Sequence, residues 1–220
     1  MKRLLNRLRS RGEEPESFAG LVQVLRFCGL LDESVAAHAR AKRLDPTIIT
    51  SVPHTHFLRG EYEATIETYG GGKGYYLDAA SWAALGDTRR AVALLRQRVG
   101  ERQLSPLMSG LMGSLLAILE GRRGDAADAM YKTEIAREPE VLFYFARHFS
   151  MMGNTAAALE MLRRAFIEGF RASKSIERDK AWSSVRKDAA FERVLGEAKA
   201  YEKNARYAFE RAGGRQILRL

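Results

Sequence analysis

Polar and apolar positions along this chain repeatedly follow the three-to-four-residue rhythm of a helix with one buried face. The stretches GLLDESVAAHARAKRLDP (29–46), GEYEATIETYGG (60–71), GDTRRAVALLRQR (86–98), GDAADAMYKTEIAREP (124–139) and GNTAAALEMLRRAF (153–166) share one layout. Each opens on a glycine, passes two or three turn-forming residues, and continues as an amphipathic helix. Each is preceded by a further helical stretch: SFAGLVQVLRFC, PTIITSVPHTHFLR, YLDAASWAAL, LMGSLLAILEGRR and VLFYFARHFSMM. The pattern predicts helical hairpins, repeated along the chain. Only 5 prolines and long runs of Ala, Leu, Arg and Glu favour helix over strand.

The leading glycines are Gly29, Gly60, Gly86, Gly124 and Gly153, at spacings of 31, 26, 38 and 29. A glycine accepts the left-handed backbone that ends a first helix. Asp87, Asp125 and Asn154 follow their glycines directly and are placed to accept hydrogen bonds from the free amides that open a second helix. Five residues after the glycines lie Ser34, Thr65, Ala91, Ala129 and Ala158, all small enough for close helix approach. Twelve after them come Ala41, Gly72, Arg98, Ala136 and Ala165. Seven before them are Val22, Ala79, Ala117 and Ala146, with Pro53 as the exception. Four before them are Leu25, His56, Trp82, Glu120 and Phe149, mostly bulky.

This register, with the helix-ending Leu44–Pro46, resembles the tetratricopeptide repeat (TPR), whose period is roughly 34 residues. More narrowly, the chain looks like the arrays at the C-terminal end of large bacterial signalling proteins, where they follow a serine/threonine kinase, nucleotide cyclase or winged-helix domain. The segment GFRASKSIERDKAWSSVRKDAAFERVLGEAK (169–199) is similar to the closing unit of such arrays. Asp179, Trp182, Val185, Arg186, Lys187, Asp188 and Phe191 match its cadence, while Lys180 and Ala189 replace prolines usual there. The resemblance covers about residues 15–200. It implies an all-α, right-handed superhelical solenoid of about five to six TPR-like hairpins. It also implies a regulatory or docking module in bacterial signalling. No kinase signature is present: there is no glycine-rich phosphate loop, no His-Arg-Asp loop and no Asp-Phe-Gly. The chain is therefore expected to be either a stand-alone adaptor or a fragment of something longer.

Charge refines this picture. The net charge is +9. Lys2, Arg3, Arg7, Arg9 and Arg11 give residues 1–12 a charge of +5, and residues 201–220 contribute +3. The intervening 13–200 hold 26 basic and 25 acidic residues. The basicity belongs to the two ends, which argues against a nucleic-acid-binding body. The expected organisation is a basic N-terminal helix or linker stub (1–14), the solenoid (15–200), and a basic C-terminal capping helix and tail (201–220). A single cysteine, Cys28, permits no internal disulfide and fits a reducing compartment. No stretch reads as a membrane span or secretory signal, so a cytoplasmic location is expected.

Several motifs invite sharper chemistry and fail on detail. GGGKG (70–74) has Glu67 and Gly74 where a phosphate-binding loop needs Gly and Ser or Thr, so it reads as a connector. His54 and His56 point in different directions on a helix and chelate poorly. Cys28 ends an apolar helix and reads as a core residue. Glu61, Glu63 and Glu67 read as solvated charges. The basic N-terminal helix, with Leu4, Leu5 and Leu8 on one face, reads as a frayed or capping helix; the alternative is a short helix lying on an anionic membrane or on RNA. No catalytic residues, cofactor or metal site is expected.

In a solenoid of this type the first helix of each hairpin lines the inner groove. That logic places Gln23, Arg26, His54, Tyr76, Phe143 and Arg147 near the concave surface. The mixture of aromatic and cationic groups suits a peptide or partner helix with some acidic character. It differs from the two-carboxylate clamp of chaperone-tail-binding relatives. The expected function is non-enzymatic protein–protein docking. The alternatives are a helical-repeat protein that binds RNA and a membrane-surface adaptor acting through the basic ends.

Overall fold

Helix starts in this chain are written in proline and in capping side chains. Proline fits the first turn because its missing N–H would have no partner there. Pro15, Pro106 and Pro139 each open a helix. Ser105 and Glu138 precede two of them and accept the amides of Met108 (3.3 Å) and Val141 (2.6 Å). In the computed structural model, which describes residues 1–11, 14–69, 76–100, 104–131 and 138–220, every regular element is helical. The chain is all-α among the described residues.

Helix α1 (Lys2–Arg11) comes first. The pairs α2 (Pro15–Phe27) and α3 (Leu31–Leu44), then α4 (Val52–Arg59) and α5 (Tyr62–Thr68), follow. Next are α6 (Tyr76–Ala84) and α7 (Thr88–Val99), α8 (Pro106–Leu119) and α9 (Arg123–Tyr131), and α10 (Pro139–Met151) and α11 (Thr155–Ile167). Helix α12 (Ser173–Arg178), a 3-10 turn (Lys180–Trp182), α13 (Ala189–Arg211) and α14 (Gly214–Leu218) complete the order.

The turns between paired helices obey one rule. Gly29, Gly60, Gly86, Gly121 and Gly153 all have φ between 75° and 92°. At each, the glycine amide bonds three residues back and the next amide five residues back, as in Gly86 to Ala83 (3.1 Å) and Asp87 to Trp82 (2.9 Å). This is the Schellman closure, which satisfies the last carbonyls of the first helix. Asp87 and Asn154 then cap α7 and α11, accepting from Arg90 (3.0 Å) and Ala157 (3.2 Å).

The fourth hairpin departs from the expected register. Gly121, not Gly124, carries the left-handed turn, and Gly124 lies inside α9. Asp125 is accordingly no cap; it sits in the first turn and pairs with Arg122. Counting five residues from Gly121 gives Ala126, which is fully buried, whereas Ala129 is half-buried. The other residues at that position, Ser34, Thr65, Ala91 and Ala158, are also fully buried. The expected phosphate-loop lookalike at 70–74, with Gly72, and Ala136 lie outside the described residues.

The chain forms two compact units. The first comprises Met1–Glu61, Arg171–Glu177 and Leu195–Leu220; the second comprises Tyr62–Phe170 and Arg178–Val194. In the first unit α2 packs on α3, and the Ser34 hydroxyl donates to the Val22 carbonyl (2.7 Å). Its core gathers Leu5 and Leu8 of α1, Phe18, Leu21 and Leu25 of α2, Phe209 of α13 and Leu218 of α14. The two basic ends thus belong to one unit and share one core, and Cys28 packs half-buried against it. In the second unit α6 packs on α7, α8 on α9 and α10 on α11, and α8 also touches α6 and α10. Arg98 of α7 holds Asp78 of α6 through two 2.6 Å bonds. Trp182, fully buried, closes this core between Phe143 (5.6 Å between ring centres) and Phe191 (5.8 Å).

Candidate functional site

A cleft of about 400 Å³ opens in the second unit. Ala80, Ala83 and Ala84 of α6, Leu115 and Leu119 of α8, and Met151 of α10 form its apolar walls. Tyr62 of α5 and residues 178–181 complete the lining, and Arg147 of α10 reaches it from the polar side. The helical period explains these walls. Residues 80, 83 and 84 share one face of α6, and residues 115 and 119 share one face of α8. The alanines leave the space that a larger side chain would fill.

Arg147 is nearly buried at 6% exposure and pairs with Asp179. Burial opposes its charge, but Asp179 and the nearby hydroxyls of Tyr76 and Tyr62 outweigh this, and its pKa is raised. Asp179 is itself fixed: its other oxygen caps the 3-10 turn by accepting the Ala181 amide (2.9 Å). Desolvation pushes Tyr62 up, with Asp179 adding to the shift and Arg147 opposing it. Arg178 and Lys180 flank Asp179, are exposed, and have no carboxylate partner among the described residues. With the Arg147 charge matched by Asp179, these two give the rim a positive balance.

Next to Arg147 lies a buried polar chain. The Tyr76 hydroxyl meets Nε2 of His148 at 2.6 Å, and Nδ1 of His148 meets the Ser114 hydroxyl at 2.8 Å. Ser114 also donates to the Leu111 carbonyl (3.1 Å). These partners fit the tautomer with the proton on Nδ1, given to Ser114, while Tyr76 donates to Nε2. Burial, and then the charge of Arg147, press His148 down to about 3, so the ring is neutral. Burial likewise pushes Tyr76 up to about 12. A serine, histidine and tyrosine in contact could be taken for catalytic machinery, yet all three are 0% exposed. No substrate atom can reach them in this arrangement, and their hydrogen bonds satisfy one another.

The six residues expected at a groove are distributed as follows. Gln23 is exposed on α2. Arg26 is buried and donates to the carbonyl (3.0 Å) and hydroxyl (2.9 Å) of Ser51, and His54 is buried in α4. These three belong to the first unit, the other three to the second. Tyr76 and Phe143 are fully buried, which differs from the groove lining expected of them. Tyr76 bonds within the polar chain, and Phe143 stacks on Phe170 at 4.4 Å. Arg147 alone of the six lines the cleft.

The sequence reading did not identify Tyr62, Arg178, Asp179 and Lys180 as cleft residues. Asp179 carried only the terminal-unit cadence, and its pairing with Arg147 joins residues far apart in the chain. His56 donates from Nδ1 to the Glu61 carboxylate (2.7 Å), and Nδ1 of His38 shares a hydrogen bond with the Thr50 hydroxyl (2.8 Å). Among the described residues no helix is long and apolar enough to cross a membrane. Compared with protein-family models, curated proteins and solved structures, the chain gives no significant match.

Proposed function

We propose that the chain is a non-enzymatic docking module of the tetratricopeptide type, whose hairpins stack as a solenoid. In this reading the cleft of the second unit receives an amphipathic segment of a partner protein. The observation that carries it is the lining: α6, α8 and α10, the first helices of three successive hairpins, all contribute to one cleft. A groove lined by first helices is what a stacked hairpin array produces. The apolar walls suit Leu-, Met- or Phe-like side chains, and the Arg178 and Lys180 rim suits Asp or Glu beside them. On the resemblance noted above, the partner belongs to a bacterial signalling assembly in the cytoplasm, where the module regulates or docks.

Arg147 is a poor site for a test, because reversing a buried charge that pairs with Asp179 threatens the fold. Arg178→Glu with Lys180→Glu alters only exposed side chains. Peptides selected from a random display library against the intact protein are expected to combine acidic and apolar residues at helical spacing. Their affinity, measured by fluorescence anisotropy, is expected to fall at least tenfold for the double variant. Selected peptides that bind wild type and variant equally would remove the cleft from the reading.

A further inference from the structure

The charge arithmetic of the sequence assigns the excess positive charge to two ends that lie far apart in the chain. Folding joins them. Helix α1 packs against α14 in the first unit. Leu5 and Leu8 of α1 and Leu218 of α14 enter the same core, with Leu4 and Ile217 packed half-buried against it. Each helix has therefore turned its apolar side inward. What remains outward is polar and mainly basic: Lys2, Arg3, Arg7 and Arg9 on α1, and Arg215 with Arg219 at α14, are all exposed, beside Asn6, Ser10, Gln216 and the apolar Leu220. Of the four on α1, only Arg7 has a carboxylate partner among the described residues, Glu14 at 2.7 Å.

The α1 face also has shape. Arg3, Asn6, Arg7, Arg9 and Ser10 line an open recess. No lining side chain is acidic or apolar, and each carries a donor. Arg7 already donates to Glu14 (2.7 Å), Arg9 to Asn6 (3.0 Å) and Ser10 to the Arg7 carbonyl (3.2 Å), which leaves Arg3 and the remaining guanidinium N–H groups to face outward. Arginine forks match phosphate oxygens in a way that a lysine point charge does not.

We propose that this joined face of α1 and α14 binds the phosphate backbone of nucleic acid, without reading its sequence. Two other anionic partners fit less well. An amphipathic helix holds to a membrane by burying an apolar face, and the leucines of α1 are already spent on the core. A specific protein interface centres on buried apolar and aromatic groups. The recess lining offers none. Nucleic-acid interfaces are polar and strongly positive, and most of their hydrogen bonds go to phosphate and sugar. The balanced charge of residues 13–200 is consistent with a contact confined to this face rather than one that tracks the whole chain.

The test uses the full chain and a labelled mixed-sequence 20-nucleotide RNA, with anisotropy recorded between about 50 and 200 mM salt. Micromolar binding at low salt is expected. If about four phosphates are contacted, log affinity should fall against log salt with a slope of about −3. Arg3→Glu, Arg9→Glu and Arg215→Glu combined should weaken binding at least tenfold and flatten that slope. The helical circular dichroism should stay unchanged, since all three side chains are exposed. A second RNA of different sequence should bind within about twofold. No binding at 50 mM salt, or equal binding by the triple variant, would overturn the proposal. So would tighter binding to phosphatidylserine vesicles, or to polyglutamate, than to RNA. The Arg178→Glu and Lys180→Glu variant of the cleft should bind RNA like wild type, so failure here is distinct from failure of the docking reading.

Discussion

At the scale of single residues, the second unit takes an energetic risk with His148. A neutral imidazole is held at 0% exposure with both nitrogens bonded, so protonation inside the fold is opposed by desolvation and by Arg147. The unfolded chain has no such penalty and protonates near 6.5. The unfolded state therefore binds more protons than the folded state between about 6.5 and about 3. Stability is fully present above that window and is lost as pH falls through it. The slope is ~1.4 kcal/mol per pH unit, or about 2 kcal/mol between pH 7.5 and 5. His38 has the same direction, from burial first and then Lys42 and His56, so the informative quantity is a difference between proteins. His148→Gln keeps a donor and an acceptor but cannot titrate. Urea midpoints should show the variant less stable at pH 7.5 and less sensitive to acid than wild type. Equal acid sensitivity would mean that His148 does not carry this term.

At the scale of elements, the hairpin turns make two separable demands on glycine. Gly86 has φ +92, and a Cβ there would meet nothing within 4 Å. Gly86→Ala therefore meets only the backbone cost, about 1–2 kcal/mol. Gly29 has φ +80, and its Cβ would also lie 2.8 Å from Oε2 of Glu202 and 3.2 Å from the Arg171 carbonyl. Neither neighbour yields easily: Glu202 is bonded by Ser173 (2.6 Å), and the Arg171 amide is tied to the Phe27 carbonyl (2.9 Å). Gly29→Ala should cost at least ~1 kcal/mol more than Gly86→Ala in chemical denaturation, in keeping with overpacking costs. Equal losses would show that the contact relaxes. The turns were the part of the fold most legible in the sequence. Gly29, Gly60, Gly86 and Gly153 follow from a local rule, a glycine where one apolar stripe stops and another starts. The fourth failed because GRRG offers two glycines, and the choice depends on whether Ala126 or Ala129 takes the fully buried position, which Ala126 does. That is a packing decision, invisible to spacing. The cleft was less legible still. Arg147 could be placed by helical phase, but its partner Asp179 and the Ser114–His148–Tyr76 chain are meetings of residues remote in sequence.

At the scale of the whole molecule, the chain divides into two compact units, each with buried residues of its own. Phe18, Leu21, Leu25 and Phe209 belong to the first, and Phe143, Phe149 and Trp182 to the second. The protein has 2 tryptophans, Trp82 and Trp182, and both fall in the second unit. Tryptophan fluorescence therefore reports the second unit alone, while far-ultraviolet circular dichroism reports helices of both. Phe18 is 1% exposed, and truncating such a side chain costs about 3–5 kcal/mol through lost burial and the cavity left behind. If the units unfold separately, Phe18→Ala should move part of the circular-dichroism transition to lower denaturant. The fluorescence transition should stay where it is in wild type. Non-coincident probes are the signature of more than one cooperative unit. If both probes shift together, the two cores act as one folding unit. Docking at the cleft would then be linked to the stability of the basic face, because a ligand that stabilises either unit would stabilise both. If they separate, each surface can be occupied or lost without the other.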